Sequence, residues 1–368
     1  MNNGVHFRPT RAEISRQALE NNARVARQLA ADARLIGVVK ADGYGHGMLT
    51  VANAIAPYVD AFAVAFVDEA VQLRNAGFQQ PVILLEGCFS EAELPICAHY
   101  NFQPVVHQQE QLNAITTARL VRPLAVWLKV DTGMHRLGWA PEQVAEAYQQ
   151  LKRCPQVASV TMMSHFAAAD SQNHKLNQQQ LELFEDACAV TEANLDLSVA
   201  NSAALVSTAI DLAHPSQQWV RSGILIYGDN PSSSQLPAPL QSVMRLVAAV
   251  IAIRDIKAGD TVSYGGTWEA KRDSTIATVS IGYADGYPRH AKNGTPVFIN
   301  GHKAHLAGTV TMDMIMVDIT DVPEVNIGDE VELWGANVSV AKIAQCADTI
   351  SYDLLTGVSA RVPRVPVS

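Results

Sequence analysis

Between residues 30 and 230, short apolar runs rich in β-branched residues alternate with longer stretches in which apolar positions recur every three or four residues. The first pattern suits buried strands and the second amphipathic helices. Eight runs can be read: "LIGVVKA", "AFAVAF", "VILLEG", "FQPVVH", "LAVWLKV", "SVTMMSH", "LDLSVAN" and "WVRSGILIYG". Helical stretches such as "VDEAVQLRNAG", "PEQVAEAYQQLKRC" and "QQQLELFEDACAV" lie between them. Gly77 closes the first of these, and Pro141 opens the second at a first-turn position. Eight strands, each followed by a helix, predict an α/β chain with a (β/α)8 barrel, and an open doubly wound sheet is the competitor.

After "DNPSSSQLPAP" at 229–239 the alternation changes. Strands punctuated by the turn dipeptides Gly259-Asp260, Asn300-Gly301 and Gly328-Asp329 follow, then a helical segment "SVAKIAQCADTISYDLLTG" ending at Gly357. The expected organisation is a barrel over 11–236 and a C-terminal, mainly β domain over 237–368, with residues 1–10 pairing onto that second domain.

Composition narrows the function classes. In 368 residues, 48% apolar and 17% charged, there is enough apolar material for a full core. A net charge of -9 gives no basic footprint for a polyanion, so no nucleic-acid partner is expected. The start "MNNGVHFRPTRAEI" lacks the apolar stretch of a secretory signal. The apolar run "LVAAVIAI" is far short of the roughly 20 residues that a membrane helix needs. A cytoplasmic protein with no membrane partner is the expectation. Five scattered cysteines (Cys88, Cys97, Cys154, Cys188, Cys346), with no C-x-x-C pair, read as buried free thiols rather than a disulfide framework or a zinc site.

In a barrel of this kind, reactive side chains collect at the carboxyl ends of the strands. Lys40 ends the first run; Lys129 and Asp131 end the fifth and lead into Arg136; Ser164 and His165 end the sixth; Asn201 and Ser202 end the seventh; Arg221, Gly223 and Ile224 lie in the eighth. Any one of these is unremarkable, but together they make a chemical set. No H-E-x-x-H, G-x-S-x-G or P-loop signature is present. An amine can form an imine with an aldehyde, and glycine-rich backbone with hydroxyls, as at Tyr44 in "GYGHG", can hold a phosphate. An aldehyde joined to a phosphate describes pyridoxal 5'-phosphate.

"VVKADGYGHG" resembles the cofactor-lysine motif of alanine racemases, fold-type III pyridoxal-phosphate enzymes. "DTGMHRLG", "SHFAAAD", "VRSGILIYG", "VSYGGTW", "GYADGYPR" and "TMDMIMVD" resemble that family's later motifs, in order and across nearly the whole chain. The resemblance implies a barrel followed by a β domain and two-base interconversion of L- and D-alanine, either supplying D-alanine for peptidoglycan or breaking it down. It makes Lys40 the cofactor lysine and one base, and Tyr264 the second base, tuned by His165 and Arg221. A free phenol titrates near ~10, which is why such tuning is needed. The phosphate falls to Tyr44, Ser202, Gly223, Ile224 and Tyr352, the pyridine nitrogen to Arg221, and the cofactor hydroxyl and substrate carboxylate to Arg136. Met312 and Asp313 would join Tyr264 from a partner subunit, which implies a homodimer with shared sites. Lys129 matches a position that carries a carbamate in the family, an anion that orients Arg136.

Asp170, Arg289, Ile350 and Tyr352 match positions that line the family's narrow access to the site, while His46 reads as structural and His174 as a surface residue. Three other readings stay open. One is a racemase of broader specificity for serine, lysine or arginine. Another is a non-enzymatic pyridoxal-phosphate carrier, against which the Tyr264-bearing domain argues. The third is an amino-acid decarboxylase with a related barrel, whose C-terminal cysteine motif the sequence does not supply.

Overall fold

In the computed structural model, β1 (Arg11–Ser15) precedes eight strands that coincide with the eight apolar runs: β2 (Arg34–Val38), β3 (Ala61–Val64), β4 (Val82–Leu84), β5 (Phe102–Val106), β6 (Leu124–Lys129), β7 (Val157–Met163), β8 (Leu197–Ser198) and β9 (Trp219–Ser222). The structure describes residues 8–171, 174–189, 191, 195–207, 210, 218–232 and 234–368. The expected pairing of residues 1–7 lies outside the described residues.

Strands β2 to β9 are parallel neighbours in the order β8-β7-β6-β5-β4-β3-β2-β9. A parallel bridge between Leu197 and Gln218 and the bond from Arg221 N–H to Ala200 O (3.0 Å) bring β8 and β9 together and close the circle. Most of these strands are buried on both faces, so their sequences run largely apolar without alternation, as in the fully buried β3; in β7, by contrast, Ala158 and Ser159 are exposed. The helices show the complementary pattern. In Val144–Arg153 the buried positions are Val144, Ala147, Tyr148 and Leu151, one stripe at helical spacing. Helix Val67–Asn75 has Asp68 and Glu69 in its first turn and stops where Gly77 takes a positive φ of 93°.

The chain divides into two compact units. One holds Leu19–Gly43 and Met48–Leu240; the other holds the chain up to Ala18, Tyr44–Gly47 and Gln241–Ser368. The second unit is built on β10 (Met244–Ile256), a 13-residue strand. From β10 the sheet passes through Glu330–Trp334, Pro296–Ile299, His302–Leu306, Ile315–Asp318 and Ser274–Val279, which pairs back onto β10. A register shift between Val250 and Ala252 lets one half of β10 serve Ser274–Val279 while the other serves Glu330–Trp334 and β1. Asn300-Gly301 forms the two-residue turn expected of it, with Ile299 opposite His302 and both turn residues at positive φ.

Two details differ from the sequence expectation. β1, residues assigned to the barrel, lies in this second sheet between β10 and Arg364–Val367, its alternating Ala12 and Ile14 buried. The single helical segment before Gly357 is two helices, Val340–Cys346 and Ser351–Gly357, because Asp348 takes a left-handed φ of 51° between them. All five cysteines are free, but only Cys97 and Cys154 are buried outright.

Candidate functional site

Lys40 sits two residues beyond β2, whose end is fixed by Val39 N–H on Ala63 O (2.9 Å) and by Tyr227 Oη–H on Val38 O (2.8 Å). Directly after it, Ala41, Asp42, Gly43 and Tyr44 have φ of 53°, 51°, 60° and 51°. This is one left-handed turn, a conformation that costs roughly 1–2 kcal/mol for each residue bearing a Cβ.

Lys129 ends β6, and the chain then makes a closed loop whose stem is Trp139 N–H on Lys129 O and Asp131 N–H on Trp139 O (both 2.9 Å). Asp131 organises the loop from within: its Oδ1 accepts the N–H groups of Gly133 (3.0 Å) and His135 (2.9 Å). Burial pushes the Asp131 carboxyl up, but these bonds and the His135 side chain outweigh it and hold the group below the usual carboxylate range. Gly138, at φ 130°, packs so closely that a Cβ there would lie 2.5 Å from Asp131 N. Arg136 projects from this loop, exposed.

Arg221, on β9, is buried and surrounded by neutral acceptors. Its guanidinium donates to Ser198 Oγ (2.6 Å), Ser164 O (2.8 Å), Val199 O (3.2 Å) and His165 Nδ1 (3.1 Å). A guanidinium has no acceptor, so His165 Nδ1 must offer its lone pair and the ring proton resides on Nε2. Burial, then Arg221, Lys129, Arg136 and Lys40, drive His165 well below its ordinary pKa, leaving a neutral imidazole. Burial, followed by Arg221 and Arg136, pushes Lys129 down to about 7. Ser202 opens helix Ser202–Val206, capped by Asn201 Oδ1 on Ala204 N–H (3.0 Å), and its Oγ accepts Gly223 N–H (2.8 Å). Lys40, Lys129, Arg136, His165 and Arg221 therefore share one electrostatic environment, and Ser202, Gly223 and Ile224 are buried beside one another.

Apart from Asp170, the other expected residues lie in the second unit. Tyr264, 74% exposed, rides on a turn pinned by Ser263 Oγ–H on Thr309 O (2.7 Å) and Thr309 Oγ1–H on Tyr264 O (3.0 Å). Met312, 54% exposed, and Asp313 follow on the same Thr309–Asp313 segment, which the Gly282–Gly286 turn braces through Tyr283 N–H on Thr311 O and Ala284 N–H on Met312 O (both 3.0 Å). Arg361 joins Asp313 (2.7 Å) to the buried Asp285 (3.6 Å), which Arg8 grips with both guanidinium ends at 2.6 Å. Burial raises the Asp285 carboxyl, yet Arg8 and Gly282 N–H hold it below its ordinary value. Tyr44 is buried with its ring 5.9 Å from that of Tyr352, and burial raises its phenol. Ile350 is 61% exposed, and Asp170 and Arg289 are exposed surface residues. His46 is fully buried, with Nδ1 2.8 Å from Tyr44 O.

Two supporting residues escape a sequence reading. Buried Gln180, on helix Lys175–Ala189, donates to His165 O (3.0 Å) and Thr132 Oγ1 (3.2 Å) and accepts Ala167 N–H (2.9 Å). Glu69 accepts Ala41 N–H (2.7 Å). The hint in the sequence is a polar residue on a helical stripe that also holds Leu181, Phe184 and Ala187, and it serves for Gln180 but not for Glu69.

The chain matches two family models, "Alanine racemase, N-terminal domain" over residues 14–231 and "Alanine racemase, C-terminal domain" over 243–366. It is 46% identical to the catabolic alanine racemase of Pseudomonas aeruginosa across 98% of this chain and 99% of that protein. The crystal structure of the biosynthetic alanine racemase from the same organism superposes with a TM-score of 0.92 at 41% identity, covering 98% of this chain and 100% of that one. An alanine racemase from Bartonella henselae, described with covalently bound pyridoxal phosphate, superposes with a TM-score of 0.87 at 30% identity, covering 98% and 99%.

Proposed function

We propose roles for these side chains on the premise that the chain belongs to the alanine racemase family and interconverts L-alanine and D-alanine. Its cofactor is pyridoxal phosphate, held through Lys40, with the phosphate on Tyr44, Ser202, the backbone at Gly223 and Ile224, and Tyr352. The observation that carries this reading is the gathering of Lys40, Lys129, Arg136 and Arg221 on one barrel rim, where Asp131 is the acid acting on Lys129. With Lys129 set aside as a neutral amine or its carbamate, the cations Lys40, Arg136 and Arg221 fit an anionic ligand set, a phosphate together with an amino-acid carboxylate. The Ser202 hydroxyl, whose oxygen accepts Gly223 N–H, keeps its own proton to donate to that phosphate.

The cofactor, when bound, supplies the electron withdrawal that makes the Cα proton removable. Lys40 Nζ exchanges that proton on one face of Cα, and Tyr264 Oη, supplied by a second copy of the chain, exchanges it on the other. Arg221 offers hydrogen bonds without surrendering a proton, so it weakens electron flow into the ring and favours simple return of the proton to Cα. His165, held neutral, links Arg221 to the Tyr264 side. Arg136 orients the substrate carboxylate, and Met312 and Asp313 complete the substrate pocket.

Lys129 carries a carbamate in this reading. At about 7 its pKa leaves a neutral amine available near neutrality. The amine nitrogen attacks carbon dioxide, one N–H proton leaves to solvent, and the product is an anion suited to Arg136. The homodimer is supported by the exposure of Tyr264 and Met312, two large side chains on segments joined through Thr309. A cytoplasmic location is supported by five free thiols, and among the described residues no helix is long and apolar enough to cross a membrane.

Chiral analysis of L-alanine, L-serine and L-lysine incubated separately with the purified protein tests the substrate, with D-product expected from alanine. Lys40→Ala is expected to abolish the visible absorbance of the bound cofactor and racemisation together. Retained activity removes Lys40 from the reaction.

A further inference from the structure

The left-handed turn behind Lys40 needs something to hold it, since three of its four residues carry a Cβ and such backbone persists only where its surroundings over-determine it. At its far end Asp42 Oδ1 accepts Met48 N–H (2.8 Å), and Gly43 N–H donates to Val39 O (2.9 Å). At the Lys40 end, the peptide N–H of Ala41 is taken by Glu69 Oε1 (2.7 Å). Glu69 is remote in sequence and stands in the first turn of helix Val67–Asn75, after β3. Its second oxygen, Oε2, accepts Ala65 N–H (2.8 Å) and Phe66 N–H (3.3 Å). Both oxygens therefore face only donors, and one carboxylate ties the chain leaving β2 to the chain leaving β3.

We infer that Glu69 is a positioning residue for Lys40. By gripping the Ala41 peptide it keeps the left-handed turn closed and fixes the direction in which the Lys40 amine leaves the backbone. Capping of helix Val67–Asn75 accounts for Oε2 alone; the bond to Ala41 lies outside the helix and serves the lysine. An amide cannot replace this carboxylate, because its NH2 would meet one of the three N–H groups donor to donor. The inference rests on the reading of Lys40 as the lysine that carries the cofactor and exchanges a proton.

The test uses the holoenzyme with Glu69→Gln, and with Glu69→Gln combined with Ala41→Gly. Steady-state racemisation is followed beside the rate at which bound cofactor is lost on dilution. For Glu69→Gln we expect kcat to fall about tenfold to a hundredfold, the penalty for a misplaced reacting group. The KM for alanine should move little, and cofactor loss should quicken about as much as kcat falls. Glycine adopts the left-handed turn without the Cβ clash, so Ala41→Gly should recover a large part of both losses in the double variant. A residue that only capped its helix would lower the melting temperature, leave kcat and cofactor release unchanged, and gain nothing from Ala41→Gly; that pattern overturns the inference. If Glu69→Gln does not fold alone, the double variant decides. Recovery of folding and of cofactor retention supports the inference, and failure to fold even with Ala41→Gly overturns it. The two readings fail separately. Racemisation retained in Lys40→Ala removes the premise, whereas its loss there beside wild-type behaviour in Glu69→Gln removes Glu69 only.

Discussion

Burying Lys129 at the end of β6 works against the fold below neutrality. The unfolded chain holds this proton up to its ordinary value of 10.5, the folded chain only to about 7, so between these limits the unfolded state binds more protons. Stability contributed at this position therefore rises with pH from about 7 to 10.5, and the penalty is present in full below about 7. In carbon-dioxide-free buffer, Lys129→Met is expected to stabilise the protein by on the order of 3–5 kcal/mol below neutrality, with the gain fading as pH approaches that of a free lysine. Urea unfolding at several pH values checks this, and a gain independent of pH would contradict it. At Tyr264, loss of the hydroxyl should separate the two faces of the reaction. In Tyr264→Phe, hydrogen exchange at Cα is expected to disappear for L-alanine and persist in part for D-alanine, measured by deuterium uptake into each enantiomer. Equal loss from both would contradict assignment of the phenol to one face.

At the scale of elements, the loop from Asp131 to Gly138 is a mount for Arg136, closed by backbone contact at Gly138. The added methyl of Gly138→Ala meets backbone atoms at 2.5 and 2.8 Å, at a φ of 130° that L-residues rarely adopt, so the loop must open. We expect the KM for alanine to rise about tenfold with a smaller change in kcat, the pattern for a lost ground-state contact. Initial-rate kinetics in both directions would show it. Loops of this type also mark where the sequence is legible and where it is not. The barrel strands can be read because burial on both faces makes most of them predominantly apolar, and Lys40, Lys129, His165 and Arg221 stand out as polar interruptions near their ends. β1 is not legible as a strand, because "RAEIS" is short and half polar and its partners lie far along the chain. The left-handed turn was hidden because Ala41 and Tyr44 have no preference for it; the bonds that hold it come partly from Glu69, on another βα unit. Propensity is local, and these features are set by contacts distant in sequence.

At the scale of the whole molecule, Lys40 and Tyr264 belong to different compact units. If the second base comes from a partner, chains disabled at different bases should repair one another. Equal amounts of Lys40→Ala and Tyr264→Phe chains, unfolded and refolded together, would form mixed dimers in which one site has both bases intact. About a quarter of wild-type activity is expected from random pairing. Refolded mixtures no more active than their components would place both bases on one chain. The second sheet sets its own order of events. Ala12 in β1 pairs with Arg364 on one side and with Leu246 on the other. During synthesis, then, β1 must wait for β10 before it can pair at all, and its other edge stays open to chaperones or to neighbouring nascent chains until Arg364–Val367 clears the ribosome.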